Sequence, residues 1–227
     1  MDLSLSGLWN SMGVPAKAIF FVLLAMLIWS VAVFVERQIY FLRARAQSRN
    51  LAEAISGPLS KGSLDGAIKM AKDEQYKLSY LATILRAGLA EFADRTDKHG
   101  LEAAKRSLER VTVVETAGLK RGFNILATTG STAPFVGLVG TIFGIINAFS
   151  KMSSEGGADL TAISGGIAEA LVSTAFGIAV AICAIWVYNY FNSIVDEISK
   201  DISVSIMEFV EWAEKDVLRR SDHRAAK

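Results

Sequence analysis

Three long apolar stretches divide a chain that is otherwise rich in charge. The first runs from Ala18 to Val35 without a charged side chain. The second, Ile125 to Phe149, is also uncharged, and the third, Leu160 to Phe191, holds a single charge, Glu169. A hydrocarbon core of about 30 Å takes about 20 helical residues to cross. The pattern therefore predicts transmembrane helices over 18–36, 125–149 and 160–191. The third exceeds the membrane thickness and is expected to tilt or protrude.

The segments between and beyond the spans also carry a helical period. Within 37–124, Leu64, Ala67, Ile68 and Ala71 mark one apolar face, and Leu81, Ile84, Leu85, Gly88, Leu89 and Phe92 mark another. Leu101, Ala104, Leu108 and Val111 continue the pattern after a break near Asp97–Gly100. Gly57-Pro58 and Lys61-Gly62 read as loop punctuation. With no strand-like alternation of any length, 37–124 is predicted to be a helical bundle. Over 192–227, Val195, Ile198, Ile202, Phe209, Ala213 and Val217 recur at helical spacing among acids and lysines. This predicts a long amphipathic helix leaving the membrane, whose stripe packs on the loop helices, a neighbouring subunit, or both. Ahead of the first span, in 1–17, Leu5, Leu8, Trp9 and Met12 fit a short interfacial helix anchored by Trp9. A disordered tail fits the same residues. Pro15 suits the start of the first span, where its missing N–H costs little.

Charge orients the spans. Arg37, Arg43, Arg45 and Arg49 follow the first, Lys120 and Arg121 precede the second, and Arg219, Arg220 and Arg224 lie in the tail. By the excess of basic residues on the cytoplasmic side, 37–124 and 192–227 are expected inside, and 1–17 and the short link 150–159 outside. Only Lys17 precedes the first run, which ends in Val35-Glu36-Arg37 rather than a small-residue cleavage site, so it reads as a retained span. The net charge of +1 gives no electrostatic case for nucleic acid. Cys183 is the single cysteine, and His99 and His223 sit in charged segments. No disulfide, metal site or cofactor is expected. There is no Gly-rich phosphate loop, nucleophile elbow or paired-carboxylate arrangement, so no covalent catalysis is expected. Three spans without an internal repeat leave little room for alternating access.

The chemistry of the spans is concentrated in small and hydroxyl residues. The second begins with the polar run Thr128 to Pro134 and continues with Gly137, Gly140, Thr141 and Gly144. Gly140 and Gly144 form a GxxxG step, which lets backbones approach closely in lipid. Pro134 interrupts the hydrogen-bond ladder, and a functional kink and a packing kink fit it equally. The third span has a small-residue face of Gly166, Ala170, Ser173, Gly177, Ala181 and Ala184, expected to pack tightly against sister helices. Glu169 differs in kind, because a charge in a spanning helix costs about 2.5–3.5 kcal/mol on insertion scales. It lies roughly 10–15 Å in from the outer end at 1.5 Å per residue. Protonation, a wet cavity or a cationic partner would lower the cost. Ser173 and Thr174 lie about a turn deeper, and Thr141 lies on the second span. Together they outline a sparse polar path for an ion. The alternative is structural, with hydroxyls bonded to their own helix carbonyls and Glu169 in a fixed pair.

Two gapped motifs in this region resemble a known family. Ala133-Pro134-Phe135-Val136-Gly137-Leu138-Val139-Gly140-Thr141-Ile142-Phe143-Gly144-Ile145 resembles the second-span signature of the MotA/TolQ/ExbB family. Gly166-Ile167-Ala168-Glu169-Ala170-Leu171, with Thr174-Ala175, Gly177 and Tyr188-Asn189, resembles its third-span signature. The close match covers roughly 120–192, and three spans resemble the ExbB/TolQ branch more than the MotA branch. The resemblance implies an all-α membrane protein of three transmembrane helices with a cytoplasmic helical extension, in a homopentameric ring in the bacterial inner membrane. It implies a pore holding a dimer of single-span ExbD/TolR-like helices, each with a membrane Asp, and a TonB/TolA-like effector beyond. It assigns proton transfer to the hydroxyls at Thr141 and Thr174, and a pore-facing position to Glu169. The work done would be on a periplasmic or outer-membrane process. The competing expectation is a non-conducting scaffold for a single-span partner, in which Glu169→Gln and Thr141→Ala would leave function intact. Gly165 and Cys183 stand where ExbB and TolQ often have prolines; Gly165 keeps local flexibility, and Cys183 removes a kink from the inner half of the third span.

Overall fold

A computed structural model describes residues 12–154 and 160–225. The described residues form six α-helices: α1 (Val14–Ser60), α2 (Leu64–Ala71), α3 (Tyr80–Asp94), α4 (Lys98–Leu119), α5 (Phe123–Ser154) and α6 (Leu160–Ala225), with a 3-10 turn at Glu74–Tyr76. No strand occurs among them. The interfacial helix anticipated at Leu5, Leu8 and Trp9 lies outside the described residues. Contacts divide the chain into two compact units. One comprises the described residues up to Val35 with those from Gly122 to Phe191, and the other comprises Glu36–Arg121 with those from Asn192 onward.

The first unit holds three helices long and apolar enough to cross a membrane. Leu23 of α1 packs with Ala133 of α5 and with Val180 and Ala181 of α6, surrounded by Ile19, Met26, Leu27, Val136 and Phe176. Phe20 stacks on Phe176 with ring centroids 5.1 Å apart. A second aromatic group joins Phe34, Phe123, Tyr188 and Phe191. Many large apolar side chains, including Trp29, Phe135, Leu171 and Trp186, are exposed on this unit. Such a surface is stable against hydrocarbon or against further helices, where the helices satisfy their own backbone groups. Helix α5 runs on through Pro134.

One loop reading is corrected by the structure. Gly57 and Pro58 belong to the last turn of α1, and the turn itself comes at Lys61-Gly62, where Gly62 has φ 70°. A proline near a helix end forfeits one ladder bond without stopping the helix. Here the chain closes with Gly62 N–H on the Leu59 carbonyl at 3.0 Å and Ser63 N–H on the Pro58 carbonyl at 2.9 Å. Only a residue tolerant of positive φ makes that reversal without strain.

In the second unit each short helix is started by a side-chain cap. Ser63 Oγ accepts from Gly66 N–H at 3.2 Å, Ser79 Oγ from Ala82 N–H at 3.1 Å, and Asp97 Oδ1 from Gly100 N–H at 2.9 Å. These bonds satisfy amides that have no partner within the helix. Leu81, Ile84, Leu85, Leu89 and Phe92 of α3 and Leu101, Ala104 and Leu108 of α4 are buried, as are Ile198, Ile202, Phe209 and Ala213 of α6. The amphipathic stripe of the tail is thus buried within the chain. Phe92 meets Phe209 and Trp212 edge-on, at 6.4 and 6.0 Å. Trp212 Nε1 donates to the Leu59 carbonyl at 2.8 Å. Lys105 Nζ donates to Glu214 at 3.1 Å, which holds the lysine above its ordinary pKa.

Two measurements test the packing and capping of the second unit. Phe92 is fully buried, so Phe92→Ala is expected to cost about 3–5 kcal/mol, read by Trp212 fluorescence during denaturation. The Asp97 carboxyl is held below its ordinary 3.8, first by the Gly100 N–H and then by Arg95. A depressed folded pKa gives stability that is complete above the unfolded value and is lost as pH falls through the folded one. The melting temperature of the protein relative to its Asp97→Asn variant should therefore be higher at about pH 6 and lose that margin toward about pH 3. A margin constant over that range would refute the assignment.

Candidate functional site

The small residues of α5 and α6 meet each other along one antiparallel seam. A Cβ placed on Gly177 would lie 2.7 Å from the Ala133 carbonyl oxygen and 3.0 Å from Gly137 Cα. A Cβ on Gly137 would lie 3.0 Å from the Ser173 carbonyl and 3.1 Å from Thr174 Cα. Further along, one on Gly144 would reach Ala170 Cβ at 2.8 Å, and one on Gly166 would reach Ala148 Cβ at 2.5 Å. Gly140 faces Ser173, whose Oγ occupies the space a side chain would need. Pro134 follows Ala133 directly, at the edge of the same contact. The residues expected to pack against sister helices therefore pack within one chain. In lipid, where burial adds nothing between helices, such close backbone approach supplies the attraction.

The seam brings two hydroxyls together. Thr141 Oγ1 of α5 and Thr174 Oγ1 of α6 are in direct hydrogen-bond contact. Thr141 Oγ1 also donates to the Ala170 carbonyl across the seam at 3.2 Å and to Gly137 of its own helix at 3.3 Å. Thr174 Oγ1 reaches the Gly137 carbonyl, on the other helix, at 3.3 Å. Bonding to each hydroxyl's own helix alone is thus not what the structure shows. A hydroxyl both donates and accepts, so two protons here serve three acceptors: the partner hydroxyl and the carbonyls of Gly137 and Ala170. Such a pair can relay a proton when one oxygen takes up a proton as it passes its own to the next acceptor. Both threonines are partly buried, and Ser173 Oγ is buried with no hydrogen-bond partner among the described residues.

Glu169 lies five residues before Thr174 on α6 and is 4% exposed. Its Oε1 accepts the backbone N–H of Gly13, the residue before α1, at 3.3 Å. Asn147 of α5 lies against the same glycine, its Nδ2 3.0 Å from where a Gly13 Cβ would sit. Neither Gly13 nor Asn147 stands out in the sequence pattern. Asn147 is one of few amides within a span, a signal that its helical position alone could have raised. No cluster of three metal-ligating side chains occurs among the described residues, and Cys183 is exposed.

This geometry falls inside a recognised sequence family: residues 77–203 match the MotA/TolQ/ExbB proton channel family. The chain belongs to that family. It is 37% identical to the biopolymer transport protein ExbB of Xanthomonas campestris over 139 residues, 61% of this chain and 51% of that protein. It is 31% identical to ExbB of Salmonella typhimurium over 198 residues, 84% of this chain and 78% of that protein. Against the Tol-Pal system protein TolQ of Pseudomonas aeruginosa it is 38% identical over 116 residues, 48% of this chain and 50% of that protein. The chain spans about half the length of the first of these relatives. These matches place it in the ExbB/TolQ branch of the family as a multi-pass membrane protein.

The seam makes a direct prediction for this member of the MotA/TolQ/ExbB family. Gly177→Ala sets a methyl against backbone atoms that cannot swing away, which should cost about 1–3 kcal/mol. Gly165→Ala meets nothing within 4 Å and should leave stability nearly unchanged. Thermal unfolding of both variants in detergent distinguishes the two, and equal melting temperatures would contradict the seam.

Proposed function

We infer that this chain is the proton-channel, stator-like subunit of an inner-membrane motor, one that converts the proton motive force into mechanical work on a periplasmic or outer-membrane process. The observation that carries this reading is the contact between Thr141 and Thr174. It lies within the segment that matches a proton channel family, between two helices apolar enough to cross a membrane. Protons pass by the hydroxyl pair to a carboxyl on a partner helix, and Glu169 is the acidic member of the path on this chain. The exposed apolar faces of the spans suit a ring of five copies around two single-span ExbD/TolR-like partners, each with a membrane Asp. A TonB/TolA-like effector would take the motion outward. In this reading 1–17 and 150–159 are periplasmic, and 37–124 and 192–227 are cytoplasmic.

Native mass spectrometry of the chain, purified with a co-expressed single-span partner, tests the assembly. Five copies joined by two of the partner are expected. In vesicles holding that complex, Thr141→Ala should reduce gradient-driven proton uptake by about tenfold or more, the scale at which one positioned proton-transfer group acts, with the mass unchanged. An assembly that never takes a second component, or uptake unaffected by Thr141→Ala, would favour the non-conducting scaffold.

A further inference from the structure

The start of α1 is held at the acid of α6. Gly13 is the residue whose carbonyl accepts the first bond of α1, from Lys17 N–H at 3.1 Å. Its own N–H is among the amides a helix leaves without an internal partner, and it points to Glu169 Oε1 at 3.3 Å. A carboxylate at the N-terminal end of a helix also meets the positive end of its dipole. The space at position 13 is tight, because Asn147 Nδ2 lies 3.0 Å from the site of its Cβ and would have to shift for a larger residue. Three helices thus meet around Gly13: it precedes α1, lies against Asn147 of α5 and donates to Glu169 of α6.

The same region borders the hydroxyl pair. Ala170, next to Glu169, offers the carbonyl that accepts from Thr141, and its Cβ fills the hollow at Gly144. Ile19, on the second turn of α1, lies against Gly140, with its Cγ2 3.2 Å from where a Cβ would sit. The first turns of α1 therefore cover the seam beside Thr141, and the Glu169–Gly13 bond fixes where those turns lie.

We propose that Glu169 is a positioning residue: its carboxyl clasps the Gly13 N–H and so holds the start of α1 over the seam that carries Thr141 and Thr174. This rests on the proton-path reading for its consequence but not for its geometry. It gives the acid a second role, through another element of the same chain, beside its place in the proton path.

The test uses the full chain with its partner in membranes, in a Cys183→Ser background. Gly13→Cys combined with Asn147→Cys places two thiols where an intrachain disulfide can close, read by mass spectrometry of the linked peptides. The bond should form readily with Glu169 present, more slowly with Glu169→Gln, which keeps an acceptor and loses the charge, and about tenfold more slowly with Glu169→Leu, as expected for losing a bond to a charged group. Hydrogen exchange of the first turn of α1, in a chain with Gly13 and Asn147 intact, should rise with Glu169→Leu while 171–186 stays protected, which separates release of the clasp from failure to fold. An unchanged cross-linking rate in Glu169→Leu would overturn the proposal. So would first-turn exchange that is unchanged in Glu169→Leu. If the unmodified complex passes no protons, the proton-path reading fails, and the cross-linking and exchange comparisons still decide the clasp.

Discussion

Everything in the membrane unit depends on how closely α5 and α6 approach. Between helices in hydrocarbon there is no hydrophobic gain, so attraction must come from contact itself. Gly137, Gly140, Gly144, Gly166 and Gly177 remove the side chains that would hold the backbones apart. The result is a seam in which a carbonyl of one helix is a hydrogen-bond acceptor for the other. Thr141 and Thr174 lie in direct contact only because the glycines around them are bare. Packing and chemistry are therefore the same feature of the sequence here, and a methyl group in the seam is a change to both.

The second unit is built by ordinary aqueous rules. Its helices start at Ser63, Ser79 and Asp97 caps, and its core is a set of apolar stripes closed by the Phe92, Phe209 and Trp212 rings. Two physical regimes thus share one chain. Where water is the solvent, large apolar residues face inward and charged pairs such as Lys105–Glu214 face outward. Where the spans lie, many large apolar residues face outward and the α5–α6 seam is lined by the smallest residues. That inversion is the expected consequence of moving a helical bundle from water to lipid.

Much of this is legible in the amino-acid sequence alone. The spans follow from length and hydropathy, and the bundle helices follow from the spacing of Leu81 to Phe92 and of Leu101 to Leu108. The two threonines stand out because each lies among the small residues of its span, Thr141 beside Gly140 and Thr174 beside Ser173. What the pattern leaves open is which helices the small faces meet, since sister helices and helices of the same chain look alike in one dimension. The Gly13–Glu169 bond is invisible for a related reason: its donor is a backbone amide, and a backbone amide has no side-chain signature. Gly57-Pro58 misleads because a proline one turn from a helix end costs only one bond, whereas the reversal needs the positive φ of Gly62.

In the proton-path reading it is the hydroxyl at the seam, and not merely its bulk, that carries the proton. Proton uptake into vesicles containing the complex, compared for Thr174→Ser and Thr174→Val, separates the two. Serine keeps the hydroxyl and loses a methyl, whereas valine keeps the shape and loses the hydroxyl. A hydroxyl relay requires Thr174→Ser to retain most of the uptake and Thr174→Val to lose it. A Thr174→Val complex that conducts as well as Thr174→Ser would contradict it.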